Sequence, residues 1–148
     1  MNSYLKLIGS ASKPITGEPY NGIYDDNTIG FRKKQRPGVQ CGDLLFLYAS
    51  GGTKRIFALA QAISDPKQNP EYNSAEEGSC RWVIHVQYSI NLPVTSGILI
   101  DELSARERNL TLSLRRQSHI KLSEEEAQSA YIKLLEKDKT LNPGKYSN

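Results

Sequence analysis

The chain has 148 residues, of which 38% are hydrophobic and 24% charged, and its formal net charge is +3. These values are typical of one soluble globular domain, and no apolar run approaches the roughly 20 residues that span a bilayer. The N-terminus lacks a basic segment followed by an apolar one, so we expect no secretory signal and a cytoplasmic protein. Cys41 and Cys80 form neither a disulfide framework nor a metal-ligand spacing, so neither a metal nor another cofactor is expected.

The N-terminal part of the chain predicts one strand followed by a long loop. Apolar and polar residues partly alternate over 3–9, which suits a first strand. Over 10–30 the composition turns to Gly, Pro, Ser, Asn and Asp, and this predicted loop contains Tyr20 and Tyr24. Loops of about 20 residues are uncommon in compact domains and are often functional. The basic segment 31–39 follows, and we interpret it as a short helical turn.

Two apolar runs form the centre of the predicted sheet. The first, 44–49, follows a Gly42-Asp43 turn signal, and the second is 56–63. Both are apolar at odd and even positions, as expected for strands that are buried on both faces or lie inside a small barrel. The Gly-Gly pair between them favours a hairpin. A buried helix over 56–63 is the alternative, but this segment is short and an Asp-Pro pair ends it sharply.

Strand alternation is clear over residues 80–90. His85 belongs to the predicted solvent face of this strand. A second alternating run, LTLSLRRQ over 110–117, predicts another strand with its leucines inward. The predicted inner face of the first of these strands carries Trp82, Ile84, Val86, Tyr88 and Ile90.

A capped helix closes the chain. Ser123 followed by Glu126 forms a capping box, and acidic residues occupy the first turn. Apolar residues recur at i, i+3, i+4, i+7 and i+8, which predicts an amphipathic helix to about Lys137. Residues 139–148 are expected to form a flexible tail. The chain therefore predicts a single α+β domain, 1–148, with five or six strands, one good helix and a few short ones.

No enzymatic motif emerges from the sequence. It contains no nucleophile elbow, no P-loop and no pair of histidines on a helix. His119 follows two arginines in a predicted loop, where a nucleic-acid contact and a solvated side chain are about equally compatible with its setting. Cys41 has no histidine nearby in sequence and is expected to be inert. We therefore expect a protein without catalytic activity.

Aromatic and basic residues are the remaining candidates. Four cations without an intervening acid follow Ile29, a pattern that most often marks a solvated face. When aromatics are interleaved with such cations, they also allow a pocket in which a planar base stacks beside a cationic rim. The cations are Arg32, Lys33, Lys34 and Arg36, and the aromatics are Tyr20, Tyr24, Phe31, Tyr48, Tyr72 and Trp82.

An ordered series of motifs resembles the EVE domain of the PUA-like superfamily. The series covers about residues 29–136, although Lys33-Lys34 replaces the Asn-Tyr that is usual in the family and Ala49 stands where His is common. The long loop 10–30 does not match the family well. The motifs are GFRKKQRPGVQCGDLLFLYAS with a Gly-containing turn, an apolar strand and Asp65-Pro66 after it, then WVIHV from Trp82, Leu92-Pro93-Val94, and LTLSLRRQSHIKLSEEEAQSAYIKLL.

This resemblance implies a fold and a function. The fold would be a PUA-like small β-barrel of five to six strands flanked by short helices, related to YTH readers of methylated adenosine. The function would be to bind DNA or RNA and to hold one base in an aromatic pocket. Methylated and hydroxymethylated cytosine are examples of the bases that the family is thought to bind.

The resemblance also implies roles for particular residues of this chain. Gly30, Phe31 and Arg32 would form a pocket edge, and Tyr48 and Ser50 would lie at the strand end that floors the pocket. Trp82 fits either the pocket or the core, and the core is favoured. The polar loop opposite would contain Arg115, Gln117 and Ser118, and the predicted phosphate contacts are Lys33, Lys34 and Arg36.

Two other functions compete with this interpretation. PUA-like hydrolases of the ASCH group act on acylated cytidine through a Lys-Glu pair in a Gly-x-Lys-x-x-x-Glu-x-Arg setting, which this sequence lacks. The same pocket could also serve a small-molecule or protein-interaction module. Turnover of acetylated cytidine would favour the first, and loss of salt-dependent nucleic-acid binding would favour the second.

Overall fold

A computed structural model describes residues 1–8, 26–49, 54–76, 78–103, 110 and 117–146. These residues form one curled mixed sheet, a half-barrel, with one long helix, so the predicted α+β class and small barrel are confirmed. The strands are β1 (Ser3–Ile8), β2 (Thr28–Phe31), β3 (Leu44–Ala49), β4 (Arg55–Ala62), β5 (Lys67–Gln68), β6 (Trp82–Asn91), β7 (Ile98–Leu99) and β8 (His119–Lys121), and the helix is α1 (Glu124–Leu141). Short 3₁₀ helices are Val94–Ser96, Ile100–Glu102 and Pro143–Tyr146.

The order of strands across the sheet is β2-β6-β4-β3-β1-β8. β1 pairs in parallel with β3, whereas the other neighbours on this path are antiparallel. β5 adds to β6, and β7 adds to β4. The sheet curls until its two end strands approach each other, since the ring of Phe31 on β2 lies 5.0 Å from the ring of His119 on β8. The candidate site is built at this approach.

The central hairpin strands are confirmed, and the helical alternative for 56–63 is wrong. β3 starts after Gly42, whose φ of +96° suits glycine at the turn before the strand. The next residue, Asp43, holds this turn because its carboxylate accepts hydrogen bonds from the backbone N–H groups of Asn2 and Gln40, each at 2.9 Å. β3 and β4 are buried on both faces, which explains why their apolar runs are continuous.

Buried residues on the two faces of the sheet form separate clusters. The barrel cluster lies inside the curl and contains Phe31, Leu45, Leu47, Ile84 and Val86. The helix cluster lies between the sheet and α1 and contains Phe46, Tyr48, Leu59, Ala130 and Leu134. Alternate residues of β3 enter opposite clusters because successive side chains of a strand point to opposite faces.

β6 matches the predicted strand except at its end. Ile84 and Val86 enter the barrel cluster as predicted, with Trp82 and Tyr88 packed against it. Ile90 instead enters the helix cluster. The ladder between β4 and β6 shifts register there, because Ala60 pairs with Tyr88 while Leu59 pairs with Ile90. The resulting bulge leaves one extra residue on β6 and turns Ile90 to the other face.

The predicted capping box is confirmed at the start of α1. The hydroxyl of Ser123 accepts from the backbone N–H of Glu126 at 3.1 Å, and the carboxylate of Glu126 accepts from the backbone N–H of Ser123 at 2.8 Å. Acidic residues fill the first turn, where their negative charges interact favourably with the positive end of the helix dipole. Among the described residues, no helix is long and apolar enough to cross a membrane.

The C-terminal residues differ from the predicted flexible tail. α1 continues to Leu141, beyond the predicted end at Lys137, and a 3₁₀ helix spans Pro143–Tyr146. Asp138 is only 1% exposed and accepts hydrogen bonds from Asn142 at 2.8 Å, from Lys145 at 2.7 Å and from the hydroxyl of Tyr146. These bonds fold the chain back onto the helix as far as Tyr146.

Two other local predictions need correction. Leu110 and Gln117 have helical backbone instead of the extended backbone predicted for 110–117, and the residues between them lie outside the described ranges. The basic segment 31–39 forms no helical turn, since Phe31 ends β2 and bends follow.

Candidate functional site

A cavity of about 240 Å³ opens between two chain segments at the meeting point of β2 and β8. One wall consists of Phe31, Lys33 and residues 35–38, and the other consists of residues 117–119. The first wall continues from β2, and the second leads into β8. The two segments are far apart in sequence and meet because the sheet curls.

Contacts with β6 hold the first wall in place. β2 lies close to the chain before β6, since a Cβ added at Gly30 would lie 2.3 Å from the sulfur of Cys80. Phe31 pairs with Trp82, whose indole N–H donates to the carbonyl of Lys34 at 3.1 Å. The guanidinium carbon of Arg36 lies 5.9 Å from the centre of the same indole ring, within cation–π range. Trp82 therefore anchors the basic segment.

The second wall is a tight connection that ends in β8. Ser118 has a φ of +60°, in the left-handed region, where a non-glycine residue is disfavoured by about 1–3 kcal/mol. Its carbonyl accepts a hydrogen bond from the backbone N–H of Leu7 at 2.8 Å, which ties the connection to β1. The helical backbone at Gln117 changes within two residues to the strand at His119. Backbone strain of this kind is often found at binding sites.

His119 lies at the centre of the second wall. Its ring contacts Phe31 edge-on, at an interplanar angle of 83°, and lies 6.1 Å from the ring of Tyr4. Burial, followed by the charges of Lys6 and Lys33, lowers the pKa of His119 to about 4, so the imidazole is neutral at pH 7. Its Nδ1 atom is buried and has no hydrogen-bond partner among the described residues.

Lys6 places a positive charge behind the ring of Phe31, on the strand that pairs with His119. The side chain is 6% exposed, and its ammonium nitrogen lies 5.1 Å from the centre of the Phe31 ring and 2.9 Å from the carbonyl oxygen of Leu7, to which it donates. Burial lowers the pKa of Lys6 to about 8, and the charge of Arg32 adds to this shift. At neutral pH this lysine is therefore mostly protonated.

Sequence reasoning did not single out Lys6, and it assigned His119 to a loop. Lys6 lies on the same face of β1 as Tyr4 and Ile8, and all three residues are buried. A charged residue at an inward strand position was therefore a usable signal. His119 begins β8 and pairs with Lys6. No local signal predicted this pairing, because β1 and β8 lie at opposite ends of the chain.

The structure brings most of the expected site residues together. Trp82 is half-buried and packs against the barrel cluster, which supports its assignment to the core, and it also holds the basic segment. Arg32 and Lys34 are exposed on that segment beside the cavity. The expected site residues that line the cavity are Phe31, Lys33, Arg36, Gln117 and Ser118.

Tyr48 does not join them. It is 6% exposed and belongs to the helix cluster, on the face of the sheet opposite to Phe31. The alternation of β3 explains this, since Leu47 and Ala49 take the barrel side. Phe31 is itself only 2% exposed, so it offers little ring surface for stacking. Ser50 and Arg115, and with them Tyr20 and Tyr24, lie outside the described residues.

Two other kinds of site can be compared with this cavity. A larger depression, of about 470 Å³, lies on the helix side near Leu44, Gln61, Ser89 and Tyr131. No lysine, arginine or histidine lines it among the described residues, so it is less suited to a phosphate. Within the same part of the chain, no group of three His, Cys, Asp or Glu residues could hold a metal ion.

Comparisons with known proteins bear on both the fold and the site. A model of the EVE domain family matches residues 22–131, a range that contains both walls of the cavity. Among curated proteins, none matches the chain.

Three solved structures show the same fold. An NMR structure of a protein from Rhodopseudomonas palustris has a TM-score of 0.56 at 13% identity, covering 88% of this chain and 90% of its own. A crystal structure of a protein from Agrobacterium tumefaciens has a TM-score of 0.52 at 16% identity, covering 89% and 92%. A hypothetical protein from Leishmania major has a TM-score of 0.55 at 18% identity, covering 96% and 98%. At these identities the likeness concerns the fold alone.

Proposed function

The chain belongs to the EVE domain family of the PUA-like superfamily, and we propose that it binds nucleic acid without catalysis and holds one base in the cavity between 31–38 and 117–119. The base is an unmodified or a modified one, such as methylated or hydroxymethylated cytosine. The observation that carries this proposal is the cavity itself, which has room for a small planar group and a cationic segment along one wall. Its volume is below the range of about 300–1,000 Å³ that is typical of drug-sized ligands.

The cationic segment is suited to phosphate contacts. Lys33, Lys34 and Arg36 are exposed, and none forms an ion pair with a carboxylate in the part of the chain that the structure describes. Trp82 fixes the backbone of this segment through its hydrogen bond to Lys34. Phosphate contacts of this kind supply affinity and position the nucleic acid, while contacts inside the cavity would read the base.

The other wall is suited to hydrogen bonding with the edge of a base. Gln117 and Ser118 line it together with the neutral imidazole of His119. Amide, hydroxyl and imidazole groups can each donate and accept, so a base edge can be matched without a charge. Among the described residues, no carboxylate hydrogen-bonds to His119 to orient it as a general base. This supports the proposal of a binding site without catalysis.

Salt-dependent binding tests the phosphate contacts. We expect fluorescently labelled single-stranded oligonucleotides to bind the wild-type chain, with affinity that falls as salt rises. The triple variant Lys33→Ser, Lys34→Ser, Arg36→Ser should flatten the slope of log affinity against log salt by about 0.7–0.9 for each phosphate that the protein no longer neutralises. A matched control replaces three exposed lysines outside the cavity, Lys67, Lys137 and Lys139, by Ser.

Equal salt slopes in the triple variant and the wild type would contradict the phosphate contacts. Failure of every oligonucleotide to bind at low salt would overturn the proposed function as a whole. Incubation with acetylated cytidine tests the other part of the proposal, because release of acetate by the wild-type chain would show that the site is catalytic.

A further inference from the structure

Positive charge lines one wall of the cavity and also lies behind that wall. Lys33 and Arg36 line it, and Lys6 is buried behind the ring of Phe31. No aspartate or glutamate lines the cavity among the described residues. A ligand in the cavity therefore experiences a positive potential that is only partly screened, because Lys6 is shielded from solvent.

The positive potential also acts on the imidazole of His119, whose pKa it helps to lower. Burial opposes its protonation, and the charges of Lys6 and Lys33 oppose it further. A positively charged ring placed in the cavity would meet the same two penalties, namely loss of hydration and repulsion by nearby cations. His119 also lines the cavity, and its neutral imidazole has one N–H donor and one acceptor nitrogen with which to hydrogen-bond a ligand.

The described residues of the cavity offer no exposed aromatic face that could stabilise the charge of a cationic ring. Proteins usually hold cationic methylated groups against exposed faces of Trp, Tyr or Phe. Here Phe31 is almost fully buried, with the ammonium of Lys6 over its ring and the edge of His119 against it. Tyr48 lies in the other core cluster.

From this arrangement we infer that the cavity selects an uncharged base, rejects bases that methylation makes cationic, and reads the edge of the accepted base through His119. This inference rests on the proposed function, since it specifies which base the same cavity takes. Lys6 acts on the ligand indirectly: its buried ammonium adds to the positive potential in the cavity, although its side chain does not line the cavity. His119 is the specificity-determining residue.

Single-stranded oligonucleotides that differ at one central base test the inference. 3-Methylcytosine carries a positive charge at neutral pH, whereas 3-methyluracil carries the same methyl group on the same ring atom and is neutral. 5-Methylcytosine serves as a neutral base with a free hydrogen-bonding edge. We expect 3-methyluracil to bind at least about tenfold more tightly than 3-methylcytosine, because like charges a few ångströms apart repel strongly near a protein. 5-Methylcytosine should bind most tightly of the three.

Two substitutions separate the roles of charge and hydrogen bonding. Lys6→Met removes the buried charge with little change in volume and should reduce the ratio between the two 3-methylated bases to less than about threefold. Lys67→Met, on exposed β5, is the matched control and should keep the ratio. His119→Phe keeps a ring in the wall and should weaken binding of 5-methylcytosine by about 2–12-fold, without changing the salt slope. If this variant has a much lower melting temperature than the wild type, His119→Leu replaces it, because leucine also cannot hydrogen-bond to the base.

The outcomes distinguish this inference from the proposed function. If oligonucleotides bind but 3-methylcytosine binds as tightly as 3-methyluracil, the selection for an uncharged base is overturned while nucleic-acid binding stands. If the ratio is unchanged in Lys6→Met, the role of the buried lysine is overturned. If a folded His119 variant binds 5-methylcytosine as the wild type does, the role of His119 is overturned. If no oligonucleotide binds, the proposed function fails and this inference fails with it.

Discussion

Lys6 is a charged residue at an inward position of β1, and burial of its ammonium opposes folding. Transfer of a charge from water into a protein is unfavourable unless partners replace the lost hydration. The carbonyl of Leu7 and the ring of Phe31 supply part of this compensation. The lowered pKa shows that the compensation is incomplete, so the lysine weakens the fold at neutral pH.

Stability should therefore depend on pH through Lys6. The pKa is about 8 in the folded chain and 10.5 in a free lysine, so between these values the unfolded chain binds more protons. The free energy of unfolding should rise with pH across this window, by up to about 3 kcal/mol. Lys6→Met should be more stable than the wild type at pH 7 and should lose this rise. Urea denaturation at pH 7.5 and pH 10 measures both effects.

An exposed lysine gives the control for this measurement. Lys67→Met retains Lys6, so its stability should follow the wild-type dependence on pH. Tyrosines and other lysines also titrate in this range, and they contribute equally to both variants. Parallel pH profiles for Lys6→Met and Lys67→Met would show that Lys6 is not destabilised by burial.

Tyr48 gives a second prediction at the scale of one residue. Its side chain is buried in the helix cluster, so Tyr48→Ala should lower the free energy of unfolding by about 3–5 kcal/mol. Tyr48→Phe keeps the ring and should have a much smaller effect. Oligonucleotide affinity, corrected for the folded fraction, should be unchanged in both variants. If the Tyr48→Ala variant folds but binds the base more weakly than the wild type, Tyr48 contributes to the binding site and the prediction is wrong.

At the scale of elements, α1 depends on its cap and on the helix cluster. Glu126, three residues after the N-cap Ser123, is itself buried, so this end of the helix lies close to the sheet. The apolar face of the helix contributes Ala130 and Leu134, both fully buried. β8 ends at Lys121, two residues before the cap. Between them, the backbone N–H of Leu122 donates to the carbonyl of Ser3 at 2.8 Å, which ties this connection to β1. The start of the helix therefore also fixes the strand that carries His119.

Removal of the cap should weaken the fold moderately. Ser123→Ala deletes the hydroxyl that accepts from Glu126, and we expect a loss of about 0.5–2 kcal/mol in the free energy of unfolding. Ser123→Asp keeps an acceptor at this position and should retain most of the stability. Thermal melting of both variants measures the difference. Equal melting temperatures for Ser123→Ala and the wild type would show that the cap contributes little to the helix.

At the scale of the whole molecule, contacts between distant segments close the fold at two places within the described part of the chain. Phe31 and His119 bring the end strands of the sheet together at the cavity. On another side, Lys145 donates to the carbonyl of Ser89 at 2.7 Å and forms an ion pair with Asp138 at the same distance. The C-terminal 3₁₀ helix thereby connects α1 to the bulged end of β6.

Asp138 is the centre of this second closure. Burial raises its pKa, but the hydrogen bonds from Lys145, Tyr146 and Asn142 outweigh burial, so the pKa lies below 3.8. The ionised carboxylate therefore stabilises the fold above this pH, and the contribution is lost as the pH falls through the folded pKa. Asp138→Ala should lower the free energy of unfolding at pH 7 by about 1–3 kcal/mol.

An exposed acid on the same helix provides the control. Glu136→Ala should change stability much less at pH 7, because its side chain is exposed. The difference between the two variants should narrow as the pH falls below 3.8, when the wild-type carboxylate becomes protonated. Urea denaturation along a pH series measures it. A constant difference at all pH values would contradict a role for the ionised carboxylate.

Local patterns in the sequence determined the central strands, the helix cap and the family. Continuous apolar runs predicted β3 and β4, and the spacing of Ser123 and Glu126 predicted the helix cap. These features depend on residues close together in the chain, so local propensity and periodicity are sufficient to find them. The ordered motifs likewise indicated the EVE domain, and the basic segment already marked one wall of the site.

The tertiary structure alone decided which side chains meet. A bulge turned Ile90 to the helix side, and the alternation of β3 directed Tyr48 away from the cavity. The curl of the sheet brought Lys6, Phe31 and His119 together from three separate parts of the chain. The side of a sheet that a residue faces depends on the pairing and register of all its strands. Such long-range contacts, and the charge state that burial imposes on His119, leave no periodic signal in the sequence.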